Sequence, residues 1–503
     1  MLQKSMLFLV FALSSAMAFS QKGDTAGVVP PARVFESVQE VTIEGQRISL
    51  DAEAGTLLLR DENDEPIAHF GYTYYQRQGG SPSRPIVFAF NGGPLSASIW
   101  LHLGILGPKR VVVNDPGYTG PAPYALVNNE YATLDIADLV MIDPVGVGLS
   151  KPVGKAKWKD FWGVDQDIRS IGLFIEQFLI QEGRLNSPKY LLGESYGTFR
   201  NAGLMKYLQD KGIAMNGVIM VSAVFELNHL LFAPGYDMSY LVFLPTYAAT
   251  AWYHGKTAFQ DQPLEAFLDE ARRFSEEIYA PALLKGDRLT AAERQSLGEK
   301  LSAYTGLSAD FWQRANFRVE AGEFFQELLR GEGQTVGRLD SRFTGVSPDG
   351  IGQRADRDPQ SDAISAPYIT AFKHYLYEGL GVDPALTYTT GAYGREGFKW
   401  DWGHQGNYRW NAQAVISTAP DMADALSKNP NLKVLILNGY YDLATVFYSV
   451  EHTINHLGLP AHIRDNIIMK YYEAGHMMYT HKPSMQQFRE DVSSFILETS
   501  GLK

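Results

Sequence analysis

Six short apolar runs constrain this chain more than any other feature: residues 85–90, 139–142, 190–192, 218–221, 434–437 and 467–471. Each is rich in branched or aromatic side chains, is too short for a helix, and stops near residues that favour turns. Runs of that kind read as strands buried on both faces of a parallel sheet. Between the second and third, Ile168, Ile171, Ile175 and Phe178 recur at helical spacing, and Phe199, Ala202, Met205 and Leu208 do so after the third. Gly212 is placed to end that second helix. Strand, helix, strand, helix predicts an α/β sheet with helices on both faces.

The rest of the chain decorates that sheet. Residues 40–49, 55–59 and 67–75 read as antiparallel strands opening it, interrupted by the acidic turn DENDEP at 61–66. From 264 to 329 the pattern is helical with charged faces, and 347–362 reads as an irregular loop. Strand signals return after Lys433, so the helical stretch is expected to be an insertion into the sheet's connections. The predicted organisation is a leader at 1–20, a first core segment at 21–227, a mainly helical cap insertion at 228–368 and a second core segment at 369–503.

Lys4, the apolar run 6–13 and Ala16-Met17-Ala18 have the three parts of a secretory signal, cut after Ala18 or Ser20. That run is too short to span a bilayer, and no later stretch resembles a membrane helix, so export without stable membrane insertion is expected. The chain has no cysteine, which excludes disulfides, thiolate catalysis and cysteine-bound zinc. A cysteine-free exported protein suits a periplasmic or secreted location. The net charge of -12 opposes binding to a phosphate backbone, so nucleic acid is not an expected partner. Oligomeric state is not legible.

Chemistry concentrates at KYLLGESYGT, 189–198, where Gly193-Glu194-Ser195-Tyr196-Gly197 follows an apolar run and precedes a helical one. This is the G-x-S-x-G pattern of a strand-to-helix elbow that lifts a serine oxygen above a sheet. A serine hydroxyl needs a base, and the base needs an acid to orient it. Asp442 follows the strand-like 434–437, and His476 follows 467–471, giving the order Ser, Asp, His. In Asn91-Gly92-Gly93-Pro94, directly after 85–90, glycines permit close backbone approach to a ligand. The N–H groups of Gly93 and Tyr196 are the candidate oxyanion donors. His102, His404 and His481 are kept as neighbours with structural or substrate-facing roles. No H-E-x-x-H or similar spacing occurs, so neither metal nor cofactor is expected.

In order along the chain, FNGGP with Gly107-Pro108, IDPVGVGLS at 142–150, GESYG, the Asp442 segment and AGHMMYTHKP resemble the serine carboxypeptidase family, in the style of its bacterial members. The resemblance implies an α/β-hydrolase fold, a peptide substrate, no cofactor and an acyl-enzyme on Ser195. It also implies that Glu194, with Asn91 and Gly92, grips the substrate's C-terminal carboxylate. A protonated carboxyl can donate a hydrogen bond to a carboxylate, whereas two ionised ones about 4 Å apart repel by about 4 kcal/mol at an effective dielectric near 20. The family's second glutamate, three residues before the Gly-Pro, is Ile105 here, and Ser96 lies near the position of a missing cysteine. Loss of that acid leaves open an esterase or acyltransferase using the same three residues. A non-catalytic binding protein is disfavoured because Ser195, Asp442 and His476 are all present.

Overall fold

In the computed structural model, which describes residues 29–233, 235–405 and 416–502, all six apolar runs lie in one ten-stranded sheet. Its strands are β1 (Val34–Ile43), β2 (Gln46–Arg60), β3 (Pro66–Arg77), β4 (Ile86–Phe90), β5 (Asp138–Asp143), β6 (Lys189–Glu194), β7 (Gly217–Val221), β8 (Lys433–Gly439) and β9 (Ile467–Tyr472), with the two-residue strand Lys151–Pro152 beside β3. The order across the sheet is β1-β2-β3-β5-β4-β6-β7-β8-β9. From β5 to β9 every neighbouring pair is parallel. The first three strands form an antiparallel meander. This is the α/β-hydrolase fold that the sequence predicts. The predicted leader lies outside the described residues.

The order reverses at β4, which sits between β5 and β6 although it precedes both. Such a switch point opens a crevice beyond the strands' carboxyl ends. Register aligns those ends: Phe90 pairs with Gly193, Glu194 with Val221, and Val221 with Leu437. The residues that follow β4, β6, β7 and β8 therefore emerge along one edge.

Helices α1 (Val164–Gln181) and α2 (Tyr196–Asp210) carry the apolar faces expected of them. Phe178 of α1 is fully buried against Tyr72 and Tyr74 of β3 and Phe88 of β4. Gly212, at φ 78°, supplies the left-handed residue that stops α2.

Two expectations are corrected. The break after residue 49 does not exist, and the hairpin turns instead at Glu44-Gly45, both at positive φ. An X-Gly pair there gives the two left-handed residues that a tight hairpin needs, so β2 runs unbroken. The proposed boundary at 368 falls inside one helix, α3 (Pro359–His374). Ile364, Tyr368 and Phe372 of α3 pack into the sheet's own core, which ties that helix to the sheet.

Between β7 and α3, helices such as Met238–Tyr253 and Ala291–Thr305 surround a second core containing Phe243, Tyr247, Leu301 and Phe324. Tyr441 and Phe447, on either side of the loop after β8, are buried in the same cluster. The insertion is thus packed onto the segment that bears Asp442. Among the described residues no helix is long and apolar enough to cross a membrane.

Candidate active site

Ser195 stands between β6 and α2 at φ 59° and ψ -129°, a strained conformation for a residue with a side chain. Sterics explain its glycines. A Cβ on Gly193 would lie 2.4 Å from the Gly197 carbonyl oxygen, and one on Gly92 would lie 2.5 Å from the Tyr196 nitrogen. The elbow therefore forms only with β4's loop pressed against it. The Ser195 N–H donates to the Val221 carbonyl at 2.9 Å, pinning the turn to β7.

Asp442 and His476 meet after the next two strands. His476 Nδ1 is 2.7 Å from Asp442 Oδ2, and both residues are buried. The other Asp442 oxygen accepts from the amides of Ala444 and Thr445 at 2.8 and 3.0 Å, and the Thr445 hydroxyl donates to Oδ2 at 2.8 Å. Burial opposes an imidazolium at His476, but the Asp442 carboxylate outweighs it and raises the histidine above its ordinary value. Held through Nδ1 in this way, the His476 ring has a fixed orientation, as a general base for a serine requires.

Ser195 and His476 line one cleft of about 350 Å³ together with Asn91, Gly92, Gly93 and Glu194. The Asn91 carboxamide is fixed through its oxygen, which accepts from the Leu101 N–H at 3.0 Å. Its backbone carbonyl accepts from Arg200, whose guanidinium is in a fully buried ion pair with Asp167 at 2.6 Å. Gly93 has φ 116°, open to glycine and closed to other residues. Neither its N–H nor that of Tyr196 has an acceptor among the described residues. Tyr196 N–H also opens α2, where the helix's free amides and dipole favour negative charge.

Glu194 is buried, and its Oε2 accepts from the Tyr479 hydroxyl at 2.5 Å. Burial pushes its carboxyl up to about 7, against the pull of His476, Tyr479 and Asn91. Sequence reading missed Tyr479. It lies three residues past His476 within AGHMMYTHKP, and Gly104 makes room for its ring: a Cβ there would come within 2.3 Å. Ile105 is buried in the main core and brings no polar group to Glu194. Tyr479, and not residue 105, is the neighbour that donates to Glu194.

A clip from the insertion was also missed, because its residues match no motif. Leu443 N–H donates to the Arg338 carbonyl at 3.0 Å, and His476 N–H to the Leu339 carbonyl at 2.6 Å. Asp340 accepts from the Gly475 amide at 3.0 Å and pairs with Arg342, which also holds Asp115. Segment 338–342 thus ties the Asp442 and His476 loops together.

Of the other histidines, His102 is fully buried beside the Tyr75 hydroxyl at 2.7 Å, and burial pushes it down to about 3. His481 contacts its own helix's Ser484 at 2.8 Å. Neither lines the cleft. His404 lies between Asp165 and Asp421, 2.6 Å from each. Burial opposes its charge, but the two carboxylates prevail and raise it to about 9.

Residues 45–211 match the sequence profile of the serine carboxypeptidase family, a span that includes Asn91, Gly92, Gly93, Glu194, Ser195 and Tyr196 but not Asp442 or His476. No curated protein sequence matches the chain. Among solved structures, a monoacylglycerol lipase from Paleococcus ferrophilus is 12% identical, with 86% of this chain and 100% of that one covered and a TM-score of 0.32. A soluble variant of a monoglyceride lipase from Saccharomyces cerevisiae is 13% identical over 89% of this chain and 96% of its own, at a TM-score of 0.36. An esterase from Pyrococcus furiosus is 9% identical over 93% and 92%, at 0.34.

The His404 pairing makes a prediction about stability. A histidine raised from an ordinary value near 6.5 to about 9 stabilises the fold fully below 6.5 and loses that contribution as pH rises through 9. His404→Gln is expected to lower the urea midpoint at about pH 6 and to match wild type near pH 9.5. A deficit of equal size at both pH values would contradict a charged His404.

Proposed function

We propose that this serine hydrolase, whose residues 45–211 carry the serine carboxypeptidase pattern, is an exported carboxypeptidase that removes the last residue from peptides. The observation that carries the reading is Glu194, a buried carboxyl held near neutrality beside Ser195 in a cleft shared with Asn91 and Gly92. A lipase or esterase has no use for a protonated acid there. A peptidase that must hold a free carboxylate has one, because the neutral carboxyl donates where an ionised one repels.

In this reading His476 takes the Ser195 proton as the serine oxygen attacks the carbonyl of the last peptide bond. Asp442 fixes the imidazole and stabilises its charge. The N–H groups of Gly93 and Tyr196 receive the oxyanion. The imidazolium returns its proton to the leaving nitrogen, which frees the terminal amino acid. Water, activated by the same histidine, then releases the acyl group from Ser195. The roles of Glu194, Asn91 and Gly92 are to hold the terminal carboxylate while this happens.

The esterase or acyltransferase reading retains one supporting observation, the replacement of the second acid by Ile105. Comparison of an N-blocked dipeptide with its C-terminal amide separates the two. The free acid is expected to be cleaved at least tenfold faster in kcat/KM, and Ser195→Ala to lose on the order of a millionfold in turnover. Equal rates on acid and amide would replace the carboxypeptidase reading with the esterase one.

Glu194 also sets the pH profile. Activity requiring its neutral form falls as pH rises through about 7, while activity requiring neutral His476 falls on the acid side. Ionised Glu194 also raises His476. Glu194→Gln is expected to remove the alkaline limb and to leave in place the acid limb, where Glu194 is already neutral, with a higher KM. Tyr479→Phe removes a donor that favours the ionised form, so the alkaline limb moves up. An alkaline limb unchanged in both variants would take Glu194 out of carboxylate binding.

A further inference from the structure

Arg338 lines the same cleft as Ser195 and His476, yet it comes from the insertion and has an exposed side chain. Its backbone is held firmly. The Arg338 carbonyl accepts from Leu443, the Leu339 carbonyl from His476, and the Leu339 N–H donates to Asp358 Oδ2 at 3.1 Å. That anchor sets where the Arg338 side chain enters the cleft wall. Among the described residues it makes no ion pair and no side-chain hydrogen bond, whereas Arg330 is paired with Glu327 and Arg342 with Asp340 and Asp115.

We propose that Arg338 is a subsite for a substrate anion distinct from the terminal carboxylate, so that the enzyme selects peptides with an aspartate or glutamate side chain next to the scissile bond. The proposal rests on the reading of Ser195 and His476 as the reacting pair. Two subsites are indicated because Asn91, Gly92 and Glu194 enter the cleft from the ends of β4 and β6, whereas Arg338 enters it from the insertion. The terminal carboxylate belongs to Glu194, Asn91 and Gly92, which leaves Arg338 for a side chain.

The position has a kinetic consequence. His476 becomes an imidazolium during attack, and the Arg338 guanidinium nearby disfavours that charge. A substrate carboxylate on Arg338 offsets the repulsion as the barrier is crossed, so an acidic side chain raises kcat as well as lowering KM. Arginine suits the task because its planar fork accepts a carboxylate through two parallel N–H···O bonds.

The test compares four N-blocked dipeptides, Glu-Leu with Gln-Leu and Leu-Glu with Leu-Gln, at low salt, using wild type and Arg338→Gln, Arg338→Lys and Arg338→Glu. One pair is expected to show a preference for glutamate of about fivefold or more in kcat/KM, in the range of a partly exposed charged contact. Which pair shows it assigns the anion to the acyl or the leaving side. Arg338→Gln should bring the ratio near one, Arg338→Lys should keep part of it, and Arg338→Glu should favour a lysine side chain at that position. Equal rates in both pairs, or a preference that survives Arg338→Gln, would overturn the proposal. If no peptide is cleaved, the nitrophenyl monoester of succinic acid is compared with its methyl-capped analogue. Ser195-dependent hydrolysis with an Arg338-dependent preference for the anion then upholds the subsite although the carboxypeptidase reading has failed, and absence of that preference rejects the subsite too.

Discussion

The site depends on how charge is distributed among three titratable groups buried within one small volume. Asp442 receives two amides, a hydroxyl and the His476 ring. Glu194, under the nucleophile's own backbone, has Tyr479 and Asn91 and no cation bonded to it. Desolvation therefore acts on Glu194 with little to offset it, and its carboxyl stays protonated up to about 7. That proton turns an acid beside a nucleophile from a source of repulsion into a donor. The Tyr479 hydroxyl donates to Glu194 Oε2, so that oxygen is an acceptor and Oε1 is free of that contact.

The geometry that keeps those groups together is shared between sheet and insertion. The sheet aligns the ends of β4, β6, β7 and β8, while the insertion's segment 338–342 bonds to the loops bearing Asp442 and His476. Gly475 shows how tight that junction is: a Cβ there would lie 2.4 Å from the Asp340 Cβ. The insertion thus shapes the cleft, supplies Arg338 to its wall and braces His476. A change in the insertion can reach the chemistry without touching the substrate.

Local chemistry was legible in the sequence wherever one short segment contained it. The elbow's glycines, five of the six strands read as buried and the stop at Gly212 each follow from a few adjacent residues and a steric rule, whereas β9 is a half-exposed edge strand. The hairpin was misplaced because Glu44-Gly45 lies in a short polar stretch between two alternating runs, where the buried positions change from Val41 and Ile43 to Ile48 and Leu50. The boundary at 368 cuts a helix that no local signal marks, because that helix is fixed by packing of Ile364 and Phe372 into the sheet's core. Tyr479 and Arg338 escaped for a different reason. Their partners lie hundreds of residues away or in no recognisable pattern, so only the folded chain brings Tyr479 to Glu194 and Arg338 to His476.

The most direct measurement is the ionisation of Glu194 itself, by infrared difference spectroscopy of wild type against Glu194→Gln across pH 5 to 9. The account predicts a protonated-carboxyl stretch that is present at the acid end, disappears with a midpoint near 7 and is missing from the variant. A Glu194 already ionised at pH 5 would contradict it, since the site would then repel the terminal carboxylate it is meant to hold.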